Sequence, residues 1–271
     1  MIFFPGCKIN IGLNVINKRP DGYHNLESIF FPLHLTDVLE IIQSDHFSIE
    51  TTGLPIDGDH SDNLIVKAYY LLQGMYHLPP VKIHLHKQVP MGAGLGGGSA
   101  DGTATLLALN QLFDLTIPTL ELERLADQLG SDCSFFVKSK PLFVQGKGEI
   151  HSEIQLDLSA YFIQLIHPGI HISTKEAFSG IGFHSSTISL VNKIQAPIES
   201  WKDNISNDFE NTIFPNHLEI AELKDQLYQN GAIYASMTGT GSAVYGIFKN
   251  KPNSLLNTTL PSNYFEWISQ L

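Results

Sequence analysis

An α+β fold, with strands and helices mixed rather than strictly alternating, is predicted for this 271-residue chain by three observations. Apolar residues alternate with polar ones, the mark of strands, over 8–15 and again over 81–87. Apolar residues recur at helical spacing around 63–77, 99–113 and 122–129. A glycine run at 92–98 separates one such strand from one such helix.

The elements follow in order. Ile9, Ile11, Leu13 and Val15 alternate with Lys8, Asn10, Gly12 and Asn14, which predicts a strand within residues 3–16. Pro20 and the Asp21-Gly22 pair favour a turn, and β-rich segments resume at 28–33 and 37–42, so the opening reads as an antiparallel sheet. Leu64, Ala68, Leu71, Leu72 and Met75 predict a helix that Asp62 is placed to cap. In the strand predicted over 81–87, Lys82, His84 and His86 lie opposite Ile83 and Leu85. The Ala/Leu-rich 99–113 reads as a helix. Leu122, Leu125, Ala126 and Leu129 mark another, with Gly130 just past its end, where a left-handed cap is common. After Gly148 the pattern changes: a strand at 161–167, a helical fragment at 175–178, a helix through Ile220, Leu223 and Leu227, then strand, glycine turn and strand over 232–248. The change places a domain boundary near residue 153, dividing the chain into 1–153 and 154–271.

Composition narrows the function classes. With 43% hydrophobic and 16% charged residues the chain can bury a substantial core, and its net charge of −11 argues against nucleic acid as a partner. Small anions are not excluded, since backbone N–H groups bind phosphate without net positive charge. Cys7 and Cys133 give neither a disulfide framework nor a zinc spacing, which points to a reducing compartment. Without a long apolar run, the expectation is a cytoplasmic protein with no membrane partner.

The segment Pro90, Met91, Gly92, Ala93, Gly94, Leu95, Gly96, Gly97, Gly98, Ser99, Ala100, Asp101 lies between a predicted strand and a predicted helix. Its glycines allow positive φ and close backbone approach, and the following helix adds its N-terminal dipole, so a phosphate chain is the natural guest. It is not a Walker A loop, because no lysine precedes Ser99, nor does it follow the first strand as a dinucleotide fingerprint would. His84 and His86 share a strand face without a Cys or carboxylate nearby in sequence, and read as solvated rather than metal-binding. Cys133 lacks the partners of a nucleophile and reads as packing. Phosphoryl transfer asks for a hydroxyl activator and charge neutralisation. Asp132, after a helix end and before an apolar run, suits a general base, and Lys8 and Asn10 project to one strand face.

The twelve-residue segment is similar to the phosphate-loop motif of the GHMP kinase superfamily. Lys8-Ile9-Asn10-Ile11-Gly12-Leu13 and the block from Arg19 through Pro20, Asp21, Gly22, Tyr23 and His24 to Ser28 resemble, more narrowly, the opening of the family of kinases acting on 4-diphosphocytidyl-2-C-methyl-D-erythritol. Gly130-Ser131-Asp132-Cys133-Ser134-Phe135-Phe136 resembles a further family block, with Ser134 where proline is usual. Asn207-Asp208-Phe209-Glu210, Asp62-Asn63-Leu64 and His167-Pro168-Gly169 are also similar to family segments, and Met237-Thr238-Gly239-Thr240-Gly241-Ser242 resembles the third superfamily motif. The likeness runs from residue 8 to about residue 248, leaving the last ~20 residues without a motif.

The resemblance implies a two-domain GHMP kinase fold, with a ribosomal-protein-S5-like N-terminal domain and a ferredoxin-like C-terminal domain. It implies an ATP-dependent kinase in non-mevalonate isoprenoid biosynthesis, phosphorylating the 2-hydroxyl of a cytidine diphosphate methylerythritol. It assigns Lys8 and Asp132 to catalysis, and Asn10, Tyr23, His24 and Phe178 to substrate binding, with the two aromatic rings expected to sandwich cytosine and His24 to read its edge. Asn63 and residues 90–100 fall to ATP, and Thr238, Gly239, Gly241 and Ser242 are candidates for a phosphate turn. Mg²⁺ accompanies ATP, with no protein residue assigned as its ligand. ATP and the cytidylyl substrate are the expected partners, for a monomer or weak homodimer. Another small-molecule kinase of the superfamily, or a non-catalytic nucleotide-binding protein, are the alternatives; the Asp21-Gly22-Tyr23-His24 segment argues against the first, and Lys8 with Asp132 against the second.

Overall fold

The structure, a computed structural model, describes residues 1–56, 62–183, 188–256 and 258–271. Its strands are β1 Ile2–Phe3, β2 Cys7–Lys18, β3 His24–Leu33, β4 Val38–Gln43, β5 Ser48–Gly53, β6 Val81–Lys87, β7 Leu142–Gly146, β8 Ile150–Glu153, β9 Phe162–His167, β10 Tyr234–Met237, β11 Val244–Phe248 and β12 Phe265–Gln270. Its α-helices are α1 Leu64–Tyr76, α2 Gly97–Leu112, α3 Thr119–Leu129, α4 Phe135–Lys138, α5 Thr174–Ala177, α6 Leu190–Ile194, α7 Trp201–Asn204, α8 Glu210–Ile213 and α9 Leu218–Gln229. The mixture is the α+β class expected. Packing divides the chain into two compact units: Met1–Lys8, Pro32–Met91 and Gly96–Lys140 form the first, and Ile9–Phe31, Gly92–Leu95 and Pro141–Leu271 the second. Residue 153, where the sequence pattern changes, ends β8 within the second unit.

In the first unit the sheet order is β1-β4-β6-β5, with β5 parallel to β6 and the other pairs antiparallel. One face of this sheet supplies Leu39, Ile41, Ile83 and Leu85 to a core completed by Ile65 and Leu72 of α1, Leu106 and Leu109 of α2, and Leu125 of α3. Each such burial contributes about 1.5–3 kcal/mol. Asn63, not Asp62, caps α1: its Oδ1 accepts from the Ile65 N–H at 2.9 Å, while Asp62 pairs with Lys67 at 3.1 Å. β5 carries little apolar alternation and is largely exposed, and its pairing to β6 makes it a strand. α2 begins at Gly97, inside the glycine run. Gly130 closes α3 with φ 173, extended backbone rather than the left-handed cap expected.

The second unit has two four-stranded sheets, β2-β3-β7-β8 and β10-β11-β9-β12. The opening segments therefore do not share one sheet. β3 takes β7 as partner, in register from Leu26 opposite Gly146 to Phe30 opposite Leu142, whereas β4 pairs with β1 and β6. β2 also departs from the one-sided strand that its alternation suggests, because its polar residues Lys8, Asn10 and Asn14 are as buried as the isoleucines between them. Phe209, Ile213, Ile220, Leu223, Met237 and Val244 form the core here. The last residues, which carry no motif, form β12 and hydrogen-bond to β9 from Phe265 opposite His167 to Gln270 opposite Phe162.

Candidate active site

Lys8 and Asp132 meet in the first unit. α3 ends at Leu129, a turn closed by the Cys133 N–H on the Gly130 carbonyl follows, and the carboxylate it presents lies 3.6 Å from Lys8 Nζ. The lysine side chain is 4% exposed and the aspartate 29%, so the pair has one buried member and one open to solvent. Burial pulls the Lys8 ammonium below its ordinary pKa, and the Asp132 charge works against that pull. Gly96 adjoins them. Its φ is +70, and a Cβ there would lie 3.1 Å from the Phe136 ring and 3.3 Å from Lys8 Cε. Glycine is required by conformation and by contact. From this point α2 runs for 16 residues with Gly97, Gly98, Ser99 and Ala100 as its first turn, where N–H groups and the helix dipole favour an anion. Asn63 caps the helix whose first residue, Leu64, packs 2.8 Å from where a Cβ on Gly102 would lie. Cys133 is buried and its thiol is pushed up to about 11 by burial foremost, which suits packing rather than nucleophilic attack.

Sequence reasoning missed the groups beneath that helix start. Lys87, fully buried at the end of β6, donates to Asp101 of α2 at 2.7 Å and to Asp37 in the segment before β4. Asp37 also accepts from the N–H groups of Gln88 at 2.6 Å and Val89 at 2.8 Å. The readable signal was phase: Lys87 shares the strand face of Val81, Ile83 and Leu85, a charge on the buried side. Pro90 beyond it is buried, and Met91 is exposed.

In the second unit Asn10 is the centre of a buried network. Its side chain donates to Ser28 at 2.8 Å, its N–H donates to the Thr238 hydroxyl at 3.0 Å, and the Thr238 hydroxyl stands 3.1 Å from the Gly94 carbonyl. The Tyr245 hydroxyl donates to the Asn10 carbonyl at 2.8 Å. Gly94 has φ +77, and a Cβ would stand 2.0 Å from the Thr238 carbonyl, while the Ala243 N–H donates to the Ala93 carbonyl at 3.2 Å. Residues 92–95, including Gly92 and buried Leu95, are thereby held against the turn 238–242. Asn207 braces that turn through the Met237 and Gly239 carbonyls, and Glu210 accepts from the Met237 N–H. Two of the turn's side chains face inward: Ser242 is buried with its hydroxyl donating to the Ile170 carbonyl at 2.5 Å, and Thr238 is equally buried. That commits the Ser242 proton to the fold instead of to a phosphate. Gly239 and Gly241, both at positive φ, flank Thr240, whose side chain is half-buried.

The aromatic residues are arranged differently from the expected sandwich. His24 itself stacks on Phe178, with centroids 4.5 Å apart and an interplanar angle of 19°, and Phe178 meets Phe209 edge-on at 4.8 Å. A ring face expected to hold cytosine is thus covered by the histidine expected to read its edge. Burial and then the Lys18 charge lower the His24 pKa, which favours the neutral ring. Tyr23 is exposed, with Lys147 4.9 Å from its ring centre, and exposed Phe183, which carried no motif signal, lies 6.5 Å from His24. His84 and His86 both reach the Thr52 hydroxyl at 3.0 Å, on the polar side of the sheet. Among the described residues no group of three or more His, Cys, Asp or Glu could hold a metal ion.

Comparison with known proteins converges on one family. Residues 63–140 match the GHMP kinases N terminal domain and residues 194–256 the GHMP kinases C terminal family. A 4-diphosphocytidyl-2-C-methyl-D-erythritol kinase of Bacteroides thetaiotaomicron is 47% identical over 269 residues, covering 98% of each chain. The protein of that name from Azobacteroides pseudotrichonymphae is 49% identical, over 95% of this chain and 97% of its own. A crystal structure of 4-(cytidine 5'-diphospho)-2C-methyl-D-erythritol kinase superposes with a TM-score of 0.78 at 28% identity, covering 91% of this chain and 89% of that one.

Proposed function

Because the chain belongs to the GHMP kinases and, among them, to the 4-diphosphocytidyl-2-C-methyl-D-erythritol kinase family, we propose that it transfers the γ-phosphoryl group of ATP to the 2-hydroxyl of 4-diphosphocytidyl-2-C-methyl-D-erythritol, a step of non-mevalonate isoprenoid precursor synthesis. The observation that carries the reading is Lys8 and Asp132, 3.6 Å apart, beside Gly96 at the head of α2.

The residues present fit a nucleotide. The first turn of α2 offers backbone N–H groups and the positive end of the helix dipole to the phosphates. Bound ATP would supply the phosphoryl group, and Mg²⁺ bound with it would neutralise part of its charge. Asp132 accepts the proton of the substrate hydroxyl as that oxygen forms its bond to phosphorus and the bond to the ADP oxygen breaks. Lys8 has two tasks at one position. Its ammonium, 3.6 Å from the carboxylate, orients it towards the hydroxyl and offsets the negative charge gathered around the phosphoryl group. Asn10, two residues along the same strand, is buried with its side chain given to Ser28 and Thr238, so it serves the polyol by positioning that network, and Tyr23, His24 and Phe178 serve the cytidine. With His24 already on Phe178, the exposed ring of Tyr23 is the platform open to the base. The backbone of 239–241 serves the phosphates.

The free, buried cysteines and the absence, among the described residues, of a helix long and apolar enough to cross a membrane support a cytoplasmic setting. The test is product analysis: with ATP and the cytidylyl substrate the protein is expected to yield ADP and a substrate heavier by one phosphoryl group. Turnover with homoserine or mevalonate and none with the cytidylyl substrate would reassign it within the superfamily.

A further inference from the structure

Three charges lie out of water where the mechanism assigns no chemistry. Lys87, Asp37 and Asp101 are all buried, and each buried ion forfeits several kcal/mol of hydration that its partners return only with good geometry. Such a group is a poor source of stability. Its contacts, however, concentrate on two short stretches. Asp37 accepts from the N–H groups of Gln88 and Val89, the last residues before Pro90 and the glycine run. Lys87 lies beneath the first residue of α2, since a Cβ on Gly97 would stand 3.1 Å from its Nζ and 2.9 Å from Val89 Cγ1. Asp101, one turn further along α2, takes the other side of the same ammonium. The strand end that delivers the loop and the helix start that receives it are fixed to one cation, within one unit.

We propose that Lys87, bridged to Asp37 and Asp101, is the positioning group of the ATP phosphates: it fixes both ends of the loop 88–96 so that the first-turn N–H groups of α2 are held in register for the polyphosphate. The proposal rests on the kinase reading above. It makes Lys87 distinct from Lys8, because Lys87 touches no reacting atom and acts through the backbone it holds.

The same geometry places a titrating group below the anion. Burial foremost, with the Asp37 charge, raises Asp101 to about 7 against the pull of Lys87, and its Oδ1 has no partner. The charged and titratable groups facing the cluster are Lys87 on β6, Asp37 before β4 and Cys7 on β2, whose thiol burial pushes up to about 12, leaving it protonated and neutral. As pH rises, the carboxylate pair on Lys87 loses its shared proton, and the negative charge gained beneath the phosphates weakens their binding.

The experiment compares the parent, Asp101→Ala and Asp101→Asn by kcat and by KM for ATP and for the cytidylyl substrate from pH 6 to 8, with thermal melting as a check of the fold. Asp101→Ala is expected to raise KM for ATP about tenfold or more, as loss of phosphate register does, with KM for the cytidylyl substrate within twofold. Asp101→Asn, isosteric and still an acceptor for Lys87, is expected to restore KM for ATP to within threefold while losing the rise of that KM with pH seen in the parent. Parental KM for ATP in folded Asp101→Ala, a parallel rise in both KM values, or an Asp101→Asn variant that keeps the parental pH profile would each overturn it. If Asp101→Ala does not fold, the pH profile of Asp101→Asn decides alone. A parent that neither binds ATP nor turns over overturns the kinase reading instead, a result visible before any variant is made.

Discussion

Two lysines of the first unit flank the start of the same helix, and their surroundings are opposite. Lys8 stands 3.6 Å from the Asp132 carboxylate, which water can reach. Lys87 is enclosed by two carboxylates, with no exposed surface on its side chain. Burial lowers the pKa of Lys8, with Asp132 opposing; at Lys87 burial also lowers, but the two carboxylates outweigh it and the net direction is upward. The difference teaches how geometry separates roles. An ion pair left long and half-open can admit a third party, a substrate hydroxyl or a phosphoryl oxygen, and reorganise around it. A cation with every side filled can only hold what it already touches.

The largest effect that sharpens the comparison is on rate. Asp132→Asn is expected to lower kcat by about 10²–10⁴, the range of a positioned general base, with the thermal midpoint close to the parent because the side chain is partly exposed. A kcat within twofold of the parent would remove the base from Asp132. Stability should separate the lysines next. Lys87→Met strands two buried carboxylates and is expected to cost about 3–5 kcal/mol in denaturant unfolding, whereas Lys8→Met, relieving a desolvated charge whose partner keeps its water, should stay within about 1 kcal/mol while activity falls. Equal losses would erase the distinction.

A smaller effect concerns pH. Asp101 is raised from 3.8 to about 7 in the fold, so between those values the native state binds more protons than the unfolded chain, and stability falls as pH rises through that window. His167, whose burial lowers it from 6.5 to about 4, contributes with the opposite slope: its stabilisation is present above 6.5 and is lost as pH falls towards 4. Unfolding series from pH 4 to 8 should therefore tilt towards rising stability with pH in Asp101→Asn relative to the parent; an unchanged slope would assign Asp101 no shift. The smallest effect is at the glycines themselves. Gly96→Ala, at φ +70 and against the flexible end of Lys8, is expected to cost about 1–2 kcal/mol and to weaken ATP binding measured by calorimetry; unchanged affinity in the folded variant would detach Gly96 from the nucleotide.

The contrast between the lysines also marks what was legible in the sequence. Strands β2 and β6 and the longer helices were readable because their apolar residues keep the period of the element, and β9, β10 and β11 as short apolar runs that the fold buries almost continuously. β5 was not, since Ser48 to Gly53 lacks a clean apolar face and owes its conformation to pairing with β6. The residues 8, 132 and 90–100 were legible as motifs, and the structure brings Lys8, Asp132 and Gly96 together. The Lys87 cluster was not, because its carboxylates come from positions 50 residues before and 14 after, and no local pattern links them. The stacking of His24 on Phe178 escaped for the same reason: the two are far apart in the chain, and the expected sandwich assumed that both faces of a ring stay open.

The discontinuity of the second unit bears on how the chain is made. The first unit is complete in sequence by Lys140, but β3 meets β7 only when residues 142–146 have been synthesised, over a hundred positions after β3 itself. β2 and β3 thus leave the ribosome as strands without their later partner, carrying Ile9, Ile11 and Ile29, which are fully buried in the finished molecule. Pairings of such long sequence separation form slowly, because loop closure must precede any return from contact. During that interval the N-terminal hairpin is the sticky part of the nascent chain, and a chaperone that shields apolar strands would find its target there.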